Sequence, residues 1–245
     1  MRITDVAKVG DYVLYVPNRA CFSVTADESG SKFTQYFYPS SLVGWRVFQN
    51  DGEHVEIALN CTLPDLVLNG ARGYANCISI LNNLANSCVN PNFAESGRSL
   101  GSKGTKAEMI TYSCLADADV EYVVKKINEL QHFDAGKDCC VEEDLKILSE
   151  NTLLHVGNFG VWLASRGIQI TPRGKGFGVY VMYSEEVKDV VPLYCSVLDN
   201  KNYETFMHSK IYPIVKLKKD VFVKSGDGTS NKPYVLEVWF QMSAQ

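Results

Sequence analysis

The sequence predicts an α+β fold, and three observations lead there. Two long segments in the first half carry apolar residues at helical spacing. From His155 onward the chain is a series of short β-rich runs parted by turns. Strands and helices are therefore segregated rather than alternating, which points away from a parallel sheet built of βαβ units. A chain of 245 residues, 46% of them hydrophobic, can bury a full core without staples. Neither a linker nor an internal repeat interrupts it, so one domain over residues 1–245 is expected.

The first strand is expected within VGDYVLYV (residues 9–16), followed by a polar loop, ADESGSKFTQ. GWRVFQNDGEHVEIAL, from Gly44 to Leu59, reads as a hairpin, because Asn-Asp-Gly suits a tight turn with positive φ. In GARGYANCISILNNLANSCVN, Ala75, Ile78, Leu81, Ala85 and Cys88 form one stripe, with Asn82, Asn83 and Asn86 opposite. That pattern is an amphipathic helix of about four turns. NPNFAESGRSLGSKGTK reads as loop, with a short helical piece expected near Ala107–Tyr112.

ADADVEYVVKKINELQHF is the second helix, capped by Asp117 or Asp119 and buried along Val120, Val123, Val124, Ile127 and Leu130. Another short helix is expected within Val141–Leu154. The later runs, FGVWLASRG, FGVYVMYS, VPLYCSVL, IYPIVKLK, VFVKSG and YVLEVWF, read as antiparallel sheet. GKGFG (Gly174–Gly178) reads as a hairpin turn, since it lacks the spacing of a phosphate-binding loop. In SGDGTSNKP, Asp227-Gly228 supplies the closing turn and Pro233 stands where the last strand begins.

Charge and cysteine usage narrow the functional classes. The net charge is -4 with Lys and Arg scattered, so no nucleic-acid partner is expected. The run Lys216, Lys218, Lys219 reads as protection of a strand edge. No segment approaches the roughly 18 apolar residues that span a bilayer, so no membrane insertion is expected. The N-terminus lacks the apolar stretch of a secretory signal, so synthesis and first folding in a cytoplasm without a signal peptide are expected. The 8 cysteines form no CxxC and read as mostly free, buried thiols.

Catalytic patterns do not emerge. His54, His132, His155 and His208 are far apart with no HExxH or HxH spacing. Cys139–Cys140 has no histidine partner in a motif, and no serine sits in GxSxG. Acidic pairs such as Glu142–Glu143 and Glu185–Glu186 read as solvated faces. The expectation is a protein that is not an enzyme, with no cofactor, no metal and no catalytic residue.

Several phrases, in order, resemble a domain family of Firmicute surface, pilin-like and prophage proteins. These are VGDYVLYVP, GWRVFQNDGEHVEI, LNGARGYANCISILNN, GRSLG, VWLASRG, FGVYVMYS and IYPIVKLKKDVFVKSGDGTSNKPYVL. The family in turn resembles the C-type-lectin-like and formylglycine-generating-type folds. The resemblance implies a single lectin-like domain whose N- and C-terminal strands pair, with helices in the first half and a variable region at about 167–210. It implies scaffold roles for Trp45, Arg46, Gly73, Tyr74, Trp162, Arg166 and Pro213. Tyr212 stands where the family carries Arg before the proline. Cys195 is alone, whereas the oxidase cousins use a paired cysteine site. VNPN (residues 89–92) and LDN (residues 198–200) only faintly echo the calcium-binding phrases of lectins.

Function then follows as an expectation. The chain reads as a recognition module of a phage or phage-derived particle, displayed on the virion exterior, with a cell-surface glycan or protein receptor as partner. The alternative is a structural head, tail or baseplate subunit whose partners are other virion subunits or further copies of itself. The expected ligand-binding residues are Tyr183, Asn200, Asn202, Tyr203 and His208, since Tyr and Asn give rigid contact area and adaptable hydrogen bonds. Tyr180 and Tyr194 are expected in the core.

Overall fold

Two mixed sheets share the strands of this computed structural model, which describes residues 1–17, 21–24, 33–36, 44–60, 63–102, 144, 146–148, 160–171, 174–183, 188–197 and 202–238. The chain opens with α1 (Ile3–Val6), β1 (Tyr12–Leu14) and a small hairpin of β2 (Cys21–Val24) with β3 (Phe33–Tyr36). β4 (Trp45–Asn50), β5 (Val55–Leu59), β6 (Leu63–Asn69), α2 (Gly70–Asn86) and β7 (Ala94–Ser99) follow. The rest is β8 (Val161–Thr171), β9 (Gly174–Met182), β10 (Lys188–Val197), β11 (Asn202–Glu204), β12 (Phe206–Ile211), β13 (Pro213–Leu217), β14 (Val221–Ser225) and β15 (Tyr234–Val238).

The larger sheet has seven strands in the order β14-β15-β1-β4-β5-β13-β7, and the second has six, β11-β10-β9-β8-β12-β6. The first and last strands pair in parallel, with Val13 opposite Tyr234, so the two ends of the fold close on each other as expected. The chain changes sheet between β5 and β6, between β6 and β7, between β7 and β8 and again between β12 and β13. At the last change only Tyr212 lies between the strands, and Pro213 opens β13. The Tyr212 carbonyl accepts from Leu100 N (3.0 Å), whose own carbonyl accepts from Ala164 N (2.8 Å), so the switch is tied to both sheets.

Helix α2 forms because its apolar stripe has somewhere to go. Ile78, Leu81, Ala85 and Cys88 are buried in or beside a core that also takes Trp45, Ile57, Trp162, Phe177 and Val179. Burying each large aliphatic side chain is worth about 1.5–3 kcal/mol. A second cluster, including Phe48, Ala58, Leu163, Met182, Tyr212, Ile214 and Leu148, fills the other side. Leu148 belongs to the helical residues 144 and 146–148, inside the segment read as a short helix. The expected helices at 107–112 and within 116–133 lie outside the described residues.

Four local readings need correction. Ala94–Ser99, read as loop, is strand β7, paired with β13 from Pro213–Ser99 to Leu217–Ala94. Its Ser, Gly and Glu residues have low strand propensity, and helix α2 supplies the missing support. Asn86 Oδ1 accepts from Gly97 N (3.0 Å) and Asn82 Oδ1 from Ser99 N (2.9 Å), so the asparagine face seals a sheet edge. A Cβ on Gly97 would stand 2.5 Å from the Ala85 carbonyl oxygen, which is why glycine sits there.

GKGFG is the body of β9, not a turn, and is paired on both sides. Lys216 lies on β13, an interior strand between β5 and β7, and pairs with Glu95 at 3.5 Å. Likewise, Phe33–Gln35, read within the first polar loop, belong to β3.

The two turns behave as their sequences predict. Asp51 Oδ1 accepts from Glu53 N (2.9 Å) and His54 N (2.6 Å), while Gly52 takes φ +86°. Asp227 Oδ1 accepts from Thr229 N (3.1 Å) and Oγ1 (2.7 Å), an Asx turn closing β14 onto β15. Beyond it, the free side of β14 is bridged by Arg2 opposite Phe222, with Val223 N donating to the Met1 carbonyl (2.9 Å).

Candidate recognition surface

The residues named by the family resemblance are framework. Trp45 is fully buried, with Tyr15 edge-on to it at 5.0 Å. Arg46 donates from Nε to the Gly10 carbonyl (2.8 Å) and lies over the Tyr12 ring. Trp162 Nε1 donates to the Leu66 carbonyl across 3.0 Å. Tyr74 meets Phe177 edge-on, and Arg166 lies over the Tyr74 ring at 5.6 Å. Gly73 faces the Leu68 backbone closely enough that a Cβ would sit at 3.1 Å.

GRSLG hides a stronger anchor than its spelling suggests. Arg98 donates to Glu56 Oε1 (3.0 Å) and Oε2 (2.7 Å), and to Asp144 Oδ2 (2.7 Å) and Oδ1 (3.0 Å). Asp144 is fully buried and also accepts from Gly101 N (2.7 Å). Burial opposes the Arg98 charge, but the two carboxylates outweigh it and hold the guanidinium protonated. No single-sequence pattern pairs Arg98 with Glu56 and Asp144, since each partner comes from a distant element.

The outward face of the six-stranded sheet is built differently. Register places Tyr203, Cys195, Gly176 and Gln169 in one row across β11, β10, β9 and β8. Gly178 and Gly167 lie in the next outward row, with Pro192 against Gly178. Side chains alternate, so the residues between these rows, including Phe177 and Tyr194, point to the core. The glycines make room for neighbours: a Cβ on Gly176 would meet Pro192 Cβ at 3.2 Å, and one on Gly167 would meet Val190 at 2.3 Å. The surface is thereby flattened around Pro192, and the row from Tyr203 to Gln169 holds no charged side chain. Tyr203 and Gln169 are both exposed, three strand spacings or about 14 Å apart.

The structure divides the expected ligand residues rather than gathering them. Tyr203 is 52% exposed on edge strand β11. Asn202 opens β11 opposite Ser196, and its side chain lies outside the described residues, as does all of Asn200. Tyr183 follows the end of β9, seven residues along the chain from Gly176 in the Tyr203 row, or about 23 Å. Its ring rests near Gly160 beside Ser209, and burial followed by the Asp189 carboxylate raises its pKa. His208 is exposed on β12 opposite Val67. By alternation it faces away from the side that Tyr183 shares with Ser209. Tyr194 is core, as expected, and Tyr180 is half-buried beside the second cluster.

Sequence reading passed over Glu204. Helix α2 has no acidic residue in its first turn, and Asn69 makes no side-chain cap. Glu204 Oε1 instead accepts from Ala71 N (3.1 Å), so the cap arrives from β11. Asn69 is a favoured capping residue type, so the sequence gives no sign that the cap comes from β11.

Other chemistry is modest. Cys77, Cys88 and Cys195 are free thiols; burial raises the pKa of each, that of Cys88 to about 12. Asn90 of VNPN is consumed by structure, its Nδ2 donating to the Val16 carbonyl and its Oδ1 accepting from Asn92 N. Among the described residues no three His, Cys, Asp or Glu side chains gather where they could hold a metal ion. Comparison with protein-family models, curated proteins and solved structures gives no match for this chain.

Proposed function

We propose that this chain is a non-enzymatic recognition module of a phage or phage-derived particle. In this reading it uses a C-type-lectin-like scaffold to display a receptor- or glycan-binding surface on the virion exterior. The observation that carries the reading is Tyr203. A large aromatic side chain stands half-exposed on a strand that a rigid sheet supports from behind. The uncharged row it shares with Cys195 and Gln169 suits the flat, neutral face of a sugar ring or an uncharged protein loop, with the phenol and the amide supplying hydrogen bonds. The closure of β1 on β15 supports the lectin-like scaffold.

The test is binding of the labelled protein to intact Gram-positive cells, left untreated, oxidised with periodate or shaved with protease. Saturable binding lost on periodate treatment identifies a glycan receptor, and loss on protease treatment a protein receptor. A folded sample that binds none of the cells contradicts the reading.

A structural virion subunit is the second reading, and one observation favours it. Leu14 and Val16 are 45% and 44% exposed along the β1 segment of the larger sheet. Apolar exposure of this kind suits a contact with another virion subunit or a second copy of the chain. Concentration-dependent self-association of the purified protein, abolished by Leu14→Ser with Val16→Ser, is the result that reading requires.

A further inference from the structure

We infer that Glu204 is a positioning residue of the Tyr203 surface, coupling the edge strand β11 to the first turn of helix α2. The inference rests on the recognition reading for its functional meaning, while its geometry stands alone. Alternation on β11 turns Tyr203 outward and Glu204 inward toward the helix. The Glu204 carboxylate accepts from Ala71 N at 3.1 Å and lies 2.7–2.9 Å from where a Cβ on Gly70 would be. Gly70 has φ +56°, a conformation that suits glycine, and its missing side chain leaves the carboxylate its place.

Two further bonds complete the joint. Gly70 N donates to the Thr205 carbonyl (2.9 Å), and Thr205 N donates to the Leu193 carbonyl (2.9 Å). Thr205 Oγ1 donates to the Pro192 carbonyl as well. The corner that follows Tyr203 is thus held by helix α2 on one side and β10 on the other. A negative charge at the amino end of a helix is favourable because the first N–H groups there have no intrahelical acceptor. A short edge strand of Asn202–Glu204 has few pairings of its own, so this cap fixes how Tyr203 is presented.

The experiment compares wild type, Glu204→Ala and Glu204→Gln as full chains. It reads amide exchange at Ala71, the NMR resonance of the Tyr203 ring, and binding to intact Gram-positive cells. Removing an N-cap acceptor raises exchange at Ala71 by about fivefold in Glu204→Ala. The Tyr203 ring resonance shifts in the same variant and cell binding falls by a similar factor. Glu204→Gln keeps an acceptor oxygen and restores the ring resonance, with exchange between the other two.

Faster exchange at Ala71 with an unmoved Tyr203 resonance overturns the coupling and leaves a simple helix cap. Unchanged exchange at Ala71 overturns the cap itself. If wild type binds no cells, the recognition reading fails, while the exchange and resonance data still decide the coupling.

Discussion

At the scale of single residues, Arg98 is the clearest commitment in the molecule. Asp144 is fully buried, so removing its counter-ion leaves a buried carboxylate with the Gly101 N–H as its remaining donor among the described residues. Arg98→Met is expected to lower the unfolding free energy by about 3–5 kcal/mol, read as an earlier urea midpoint with an unchanged slope. Asp51 gives a gentler, pH-dependent effect. Backbone donation from His54 and then Glu53 holds its carboxyl below the ordinary 3.8. A depressed folded value means that the stabilisation is fully present above about pH 4 and is lost as the pH falls through the folded pKa. Asp51→Asn is therefore expected to be less stable than wild type at pH 6, with the gap closing in acid. A gap that stays constant from pH 6 to pH 2 contradicts the assignment. Thiol labelling tests the core: iodoacetamide should reach half-buried Cys195 before Cys77 and Cys88, which are closed off in the native state.

At the scale of elements, legibility followed periodicity. Helix α2 could be read from its stripe, and both tight turns from Asp-Gly pairs whose carboxylates cap the local backbone. Strand β7 could not be read, because its stability comes from Asn82 and Asn86 on a helix and from β13, not from its own residues. The glycines of GKGFG misled for a related reason: they spare space for Pro192 on the next strand rather than bend the chain. Gly97→Ala makes the helix–strand contact testable. Its Cβ would press on the Ala85 carbonyl from 2.5 Å, so the variant should lose about 1–3 kcal/mol or more. Asn86→Ala, which only removes the acceptor for Gly97 N, should cost about 1 kcal/mol. Equal losses in the two variants contradict the view that close approach, rather than hydrogen bonding, fixes the glycine.

At the scale of the whole molecule, the segregation of helix and strand was visible in the sequence, as was the pairing of first and last strands through the family resemblance. The division into two sheets was not, because it depends on where the chain changes sheet, as at Tyr212, and no local pattern marks such a change. The expected site is parted within the six-stranded sheet instead: Tyr203 stands on edge strand β11, Tyr183 follows the far end of β9, and His208 lies on β12, four strands from β11. What remains is an uncharged row ending in one exposed tyrosine, supported from behind by a helix cap.

The most direct test of that account compares wild type, Tyr203→Ala and the Leu14→Ser, Val16→Ser double variant in saturation binding to intact Gram-positive cells, with folding of each confirmed by circular dichroism. Recognition through the Tyr203 row predicts saturable wild-type binding, a loss of at least about tenfold in Tyr203→Ala, as for an aromatic hot spot, and unchanged binding in the double variant. Equal binding by wild type and Tyr203→Ala, or loss only in the double variant, would contradict it.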